Sequence, residues 1–263
     1  MQIFCKSNYY FRMFKITNNT IPLYGICFFL GVVMATVLSF LLAQKKKIDA
    51  FDFLAATAYI LIGALAGAKL LFLIVSFEEI IRLKLTFLEI MKGGFVFYGG
   101  LLGGIAALWI YCKQYKLSFY KYADIISLSL PLGHTFGRVG CLFAGCCYGV
   151  RYNGVCSIIY KVSHNINTPL NTPLLPVQAI EAILLSFLFI ALIFCFRKNK
   201  EGLTSFVYLQ AYSVIRFALE FIRGDIERGG LFIFSTSQWV SMFILAGSIF
   251  CMMRMRRKEG NIL

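Results

Sequence analysis

Charge is what this sequence has least of. Only 14% of its 263 residues are Asp, Glu, Lys or Arg, against 59% hydrophobic, and its mean hydropathy is +0.76. Soluble domains carry about 25% charged residues. The composition therefore excludes a soluble globular fold and implies an all-α, polytopic membrane protein. Acidic residues are scarcest: 12 stand against 26 basic ones, for a formal net charge of +14. Such a balance suits nucleic acid where the basic residues form one stripe. Here they fall in short clusters between apolar runs, which is a topology signal and argues for no nucleic-acid partner. No small-residue cleavage site follows the first apolar run before "AQKKK", so that run is expected to be a retained helix. There is no internal repeat. Nine cysteines contain no Cys-x-x-Cys, and most read as apolar fillers. Cys141, Cys146 and Cys147 form the one suggestive cluster.

A membrane crossing needs about 20 mostly apolar residues. Seven segments qualify, near 22–43, 51–77, 93–112, 122–147, 176–196, 203–222 and 236–253. The fourth contains Pro131 and several glycines, which are expected to kink or break it. Connections are short except 148–175, a polar, proline-bearing stretch expected to form a small external cap. The whole chain, 1–263, reads as a single transmembrane domain. The tight basic clusters, "KKK" at Lys45–Lys47, Lys113/Lys116/Lys121, "RKNK" and "RMRRK", all fall on one side. The positive-inside rule puts that side in the cytoplasm, with the N-terminus outside and the C-terminus inside.

Polar residues within the spans sort to one end. Tyr24 opens the first span; Lys69 lies in the outer part of the second; Tyr98 lies in "GGFVFYGGLLGG" at the outer start of the third. Arg138, Cys141, Cys146 and Cys147 close the fourth, Gln178 and Glu181 open the fifth, Arg216, Glu220 and Arg223 close the sixth, and Ser235 and Gln238 open the seventh. Asp52 and Asp124 are the exceptions. Polar groups in a bilayer are costly and mark function by default, so the sorting implies one polar cavity at the outer face. Arg216, Glu220 and Arg223 share a helix face at i, i+4 and i+7, and His134, Arg138 and Cys141 repeat that spacing. Glu220 neutralises only one of the two deep arginines. Their planar forks suit phosphate, and the anion at that depth is a phospholipid headgroup. Each has a plainer reading: ion pairs for the arginines, packing for His134 and small-residue helix contacts for Gly99 and Gly100.

These residues carry a resemblance. The chain is similar along nearly its whole length to the prolipoprotein diacylglyceryl transferase family. "LYG" supplies Tyr24, the first-span tyrosine; "GGFVFYGGL" matches the third-span motif with Tyr98 where the family has histidine. "GRVGCLFAGCCYG" keeps Gly137, Arg138, Gly140 and Gly149 of the family signature, with Cys141 in place of an asparagine and Ala144 and Cys146 in place of a second asparagine and an acid. "PVQAIEA" supplies Gln178 and Glu181, "YSVIRFALEFIRGD" supplies Tyr212, Arg216, Glu220, Arg223 and Asp225, and "STSQ" opens the last span.

The resemblance implies a multi-pass protein of the bacterial cytoplasmic (inner) membrane. Its substrates are phosphatidylglycerol and prolipoprotein signal peptides with a lipobox cysteine. The diacylglyceryl group moves to that thiol, glycerol phosphate leaves, and no metal or organic cofactor takes part. Arg138 and Arg216 stabilise the departing phosphate. Tyr24 and Tyr212 contact lipid, and Lys69, Gly99, Gly100, Gly137, Gly140, Cys141, Gly149, Gln178, Glu181, Glu220 and Arg223 line the substrate site. The base is Tyr98, standing where the family has histidine, or His134, one turn from Arg138. A tyrosine phenol is a poor base at neutral pH. Three other classes stay open: a non-catalytic lipid or lipoprotein binder of the same fold, a soft-metal protein and a thiol redox protein. The gaps between His134, Cys141, Cys146 and Cys147 do not follow structural zinc spacing.

Overall fold

The computed structural model describes residues 2–3, 23–83, 86–92, 94–161, 163, 167–225, 230–231 and 233–260. Most of the external N-terminus expected from the charge pattern lies outside them. Nine helices are present among the described residues: α1 (Leu23–Lys45), α2 (Ala50–Val75), α3 (Phe77–Leu83), α4 (Phe87–Lys92), α5 (Phe97–Gln114), α6 (Phe119–Ala144), α7 (Val177–Arg197), α8 (Leu203–Glu220) and α9 (Thr236–Gly260). The seven with 18 residues or more coincide with the seven expected spans. Four of them, α1, α2, α7 and the first 20 residues of α9, are long and apolar enough to cross a membrane on composition alone. They turn large apolar side chains such as Phe29, Ile62, Phe187 and Phe243 outward. The chain is thus an all-α, multi-pass membrane protein. The short helices α3 and α4 were not expected from the hydropathy pattern.

Of the expected kink or break at Pro131, the break does not occur: α6 continues through it to Ala144. Proline removes one N–H, a loss that spanning helices tolerate where neighbouring polar groups compensate. Gly145, with φ +79°, ends the helix instead.

The described contacts form two compact units, Phe40–Tyr122 and the remainder of the chain. In the first, α2 and α5 meet on small residues. Gly63 and Gly67 stand four apart on α2, and Gly99 and Gly103 four apart on α5. A Cβ added at Gly67 would lie 2.3 Å from the Gly99 carbonyl oxygen, and one at Gly103 would lie 2.2 Å from that of Gly63. Backbones this close accept no larger side chain. Asp49 caps α2 by accepting from the backbone N–H of Phe51 at 2.8 Å. Thr86 and Glu89 cap α4, the carboxylate accepting from both the Thr86 N–H and hydroxyl at 2.7 Å.

In the second unit, α7 packs on α8 and α8 on α9. Asp124 of α6 serves as the cap of α8: its carboxylate accepts from the N–H of Gly202 at 2.7 Å and from the N–H and hydroxyl of Ser205 at 2.8 and 2.6 Å. Between α6 and α7 lies a segment with a small core of Tyr148, Ile158, Tyr160 and Leu174. Its strands β2 (Ile158–Ile159) and β3 (Pro173–Leu174) pair antiparallel, and β1 (Gln2–Ile3) adds to β2. A second pair, β4 (Gly230–Leu231) and β5 (Phe234–Ser235), leads into α9.

Candidate active site

Helices that alternate in direction bring the C-terminal ends of α6 and α8 to the N-terminal ends of α7 and α9. Three contacts between those ends build the site. Arg138 on α6 meets Glu181 on α7 at 2.9 Å, with only 15% and 1% of the two side chains exposed. Gln178, fully buried at the start of α7, donates to the Cys146 carbonyl at 2.6 Å. Arg216 on α8 donates to the Ser237 hydroxyl on α9 at 3.1 Å and pairs within its own helix with Glu220 at 2.8 Å. The start of α1 joins them, because Gly140 of α6 sits against the ring and carbonyl of Tyr24.

Just past α8, Arg223 forms a bidentate pair with Asp225 at 2.8 and 2.9 Å. The "YG" of the signature places it. Gly149 forms an antiparallel bridge with Arg223, and Gly224 N–H donates to the Tyr148 carbonyl at 3.0 Å. Gly149 N–H donates to Leu175 and Val150 N–H to Ile222, each at 3.0 Å. Three chain segments therefore converge on a position where a Cβ would meet Val177 at 2.5 Å and the Leu175 carbonyl at 2.7 Å. "STSQ" is a reciprocal cap: Ser235 N–H donates to Gln238 Oε1 at 2.9 Å and Gln238 N–H to Ser235 Oγ at 3.2 Å. That motif, Ser-x-x-Gln before an apolar run, was legible as a helix start.

Arg138, Arg216 and Arg223 thus each hold one carboxylate partner. Each also keeps a buried guanidinium nitrogen with no hydrogen-bond acceptor among the described residues: Nε of Arg138, Nη1 of Arg216 and Nη1 of Arg223. Glu181 sits at ionic distance from Arg138 without an aligned hydrogen bond, so the pair is a charge contact rather than a closed fork. His134 and Tyr212 stack beside them with ring centroids 5.4 Å apart, and Tyr208 stacks on Tyr212 at 5.8 Å. The charges of Arg138 and Arg216 both reach His134. A Cβ at Gly137 would touch nothing within 4 Å.

The sulfurs of Cys141, Cys146 and Cys147 lie within 4.8 Å of one another. They converge despite their sequence gaps, because the chain turns back at Gly145. Tyr160 seals this turn from the cap side: its hydroxyl donates to the Leu142 carbonyl at 3.0 Å, and burial raises its phenol above the usual range.

Lys69, Tyr98, Gly99 and Gly100 belong to the other compact unit. There Lys69 donates to the carbonyls of Ile90 and Met91, which end α4, and lies over the rings of Phe72 and Phe95 at 4.7 and 5.0 Å. Gly99 supports the close approach to Gly67. The Gly63/Gly67 pair stands in the same "GALAGAKLL" as Lys69, and its four-residue spacing was the missed signal for that contact.

A family model described as prolipoprotein diacylglyceryl transferase matches residues 12–254. The chain is 33% identical over 227 residues to phosphatidylglycerol–prolipoprotein diacylglyceryl transferase 2 of Clostridium perfringens, covering 86% of this chain and 88% of that protein. It is 32% identical to the transferase of Clostridium tetani, with 90% and 94% covered, and 30% identical to that of Dehalococcoides mccartyi, with 80% of each covered. The motifs at Arg138, Glu181 and Arg216 are therefore embedded in similarity that runs nearly end to end: the chain belongs to the prolipoprotein diacylglyceryl transferase family.

Proposed function

We propose that this chain transfers the diacylglyceryl group of phosphatidylglycerol to the cysteine thiol of prolipoprotein signal peptides. The observation that carries the reading is the set of three buried guanidinium nitrogens, on Arg138, Arg216 and Arg223, left with donors to spare beside their carboxylate partners. An anion with several oxygens satisfies such donors, and a phosphodiester is that anion in a lipid bilayer. The signal-peptide thiolate attacks the glycerol carbon that bears the phosphate ester. The carbon–oxygen bond breaks as the carbon–sulfur bond forms, and glycerol phosphate leaves with the bonding pair. Charge grows on the departing phosphate, so fixed N–H donors are worth most in the transition state. Arg138 and Arg216 act there; Glu181 and Glu220 pair with them. Tyr24 and Tyr212 contact lipid, with Gly137, Gly140 and Gly149 shaping the backbone around it.

The thiol proton goes to a base, for which Tyr98 and His134 are the two candidates. The site opens to the outer face of the bacterial cytoplasmic membrane, with the N-terminus outside, the C-terminus in the cytoplasm and residues 148–175 as the external cap of one transmembrane domain. The "RKNK" and "RMRRK" clusters support that orientation. Expression in a strain depleted of its own transferase tests the activity. Diacylglyceryl-modified lipoprotein, read by mass spectrometry, is the expected result. Unmodified lipoprotein at normal expression and membrane insertion refutes it.

A further inference from the structure

Helix α6 ends at Ala144, and two of the next three residues are left-handed: Gly145 with φ +79° and Cys147 with φ +58°. Glycine takes that conformation freely. A cysteine does so at a cost of roughly 1–2 kcal/mol, because its Cβ crowds the backbone. The two left-handed residues fold the chain back over the last turn of α6. Gln178 fastens the fold from α7 through its 2.6 Å bond to the Cys146 carbonyl, and Thr168 adds a 2.9 Å bond to the Gly145 carbonyl. The product is a cradle in which the sulfurs of Cys141 from the helix and of Cys146 and Cys147 from the turn lie within 4.8 Å of one another.

Three thiolates around a zinc-sized ion, at about 2.3 Å each, stand roughly 3.8 Å apart. The cradle reaches that spacing by side-chain rotation of under about 1 Å per sulfur. Soft sulfur donors select zinc and copper(I) over hard cations. Three sulfur anions also need positive charge nearby, and the charges of Arg138 and Arg223 both reach Cys147. Among the described residues, no histidine or carboxylate joins the three within the same distance, so any fourth position faces an exogenous ligand.

We propose that Cys141, Cys146 and Cys147 form a three-thiolate site for a soft d10 cation, zinc(II) or copper(I). On binding, each thiol gives its proton to solvent, three metal–sulfur bonds form and no electron is transferred. The proposal does not rest on the transferase reading, although Arg138 and Arg223, whose charges reach Cys147, are shared with the proposed phosphate site.

The test uses the full chain in detergent micelles, reduced and stripped with chelator. It is titrated with zinc(II), or with copper(I) buffered by a competing chelator, and metal content is read by mass spectrometry. About one equivalent per chain is expected. Cys141→Ser, Cys146→Ser and Cys147→Ser should each weaken binding by more than about tenfold, while Cys112→Ser and Cys195→Ser leave it unchanged. Cobalt(II) gives a reading that needs no variant: the wild-type protein should show sulfur-to-cobalt charge-transfer bands in the near ultraviolet. Failure to bind either metal, binding that survives the triple serine variant, or bound cobalt without those bands would overturn the proposal.

Discussion

Breaking the contact between Arg138 and Glu181 separates the two jobs assigned to that arginine. Replacing Glu181 with Met removes the carboxylate and keeps most of the volume. Glu181 is 1% exposed and Arg138 15% exposed, so the arginine left behind is an uncompensated charge in a largely dry position. Losing one partner of a buried pair costs about 3–5 kcal/mol. The carboxylate oxygens here lack aligned hydrogen bonds and Arg138 lies near a helix end, so about 3 kcal/mol, the lower limit, is the expected loss. Arg138→Met strands Glu181 instead, which escapes part of the cost by taking up a proton. The double variant Arg138→Met/Glu181→Met strands neither. Its loss should fall short of the summed single losses by about 1–3 kcal/mol. Reversible unfolding in mixed micelles measures all three, and lipid transfer is assayed on the same preparations. The double variant is expected to be stable and inactive, because the donors meant for phosphate are gone. Additivity within about 0.5 kcal/mol would show that the two residues do not interact. Transfer activity in the stable double variant would remove Arg138 from the mechanism.

Gly149→Ala should cost about 1–3 kcal/mol in the same unfolding assay, since its Cβ would meet backbone carbonyls at 2.7 and 2.9 Å that cannot rotate away. Gly67→Ala should lose a similar amount from the α2–α5 contact, while Gly247→Ala, with nothing within 4 Å, should be neutral. Asp124→Ala removes the acceptor for three donors at the start of α8, and a loss of about 1–2 kcal/mol is expected on thermal unfolding. For the base, lipid transfer should be lost in His134→Ala and survive Tyr98→Phe if His134 takes the proton; the opposite pair of results assigns Tyr98.

The spans were legible because apolar length is a property of each segment alone. So was the spacing of Arg216 with Glu220, which a helix fixes locally. What the sequence withheld is tertiary. Arg138 looked unpaired because its partner, Glu181, lies on another helix. Asp124 stood out as an exception to the polar sorting, and it proves to be the cap of α8, supplied from α6 because Gly202 at that position has no side chain to offer. Lys69 read as one more member of the polar end, and its partners are the terminal carbonyls of α4, a helix too short to register in a hydropathy window. Pro131 predicted a kink or break, and α6 is not broken there. The closeness of the three cysteine sulfurs was not legible from their gap lengths, because the left-handed pair at Gly145 and Cys147 turns the chain back.

The carboxylate partners also bear on how the three arginines work. Each of the three carries a carboxylate, so formal charge alone leaves the cluster with no excess for an anion. Geometry decides otherwise. A guanidinium has five donors and a carboxylate engages at most two of them in a fork. In Arg223 the Asp225 fork takes Nε and Nη2 and leaves Nη1 over; in Arg216 Glu220 takes Nη2 and leaves Nη1; in Arg138 Glu181 meets Nη2 and leaves Nε. Each therefore keeps a desolvated donor of the kind that stabilises developing phosphate charge. An unpaired arginine at this depth would snorkel toward water. On the proposed reading, the ion pairs and the anion site are therefore one device. Glu181, at 1% exposure, would repel phosphate directly, so on the proposed reading it serves only through the arginine it pairs with.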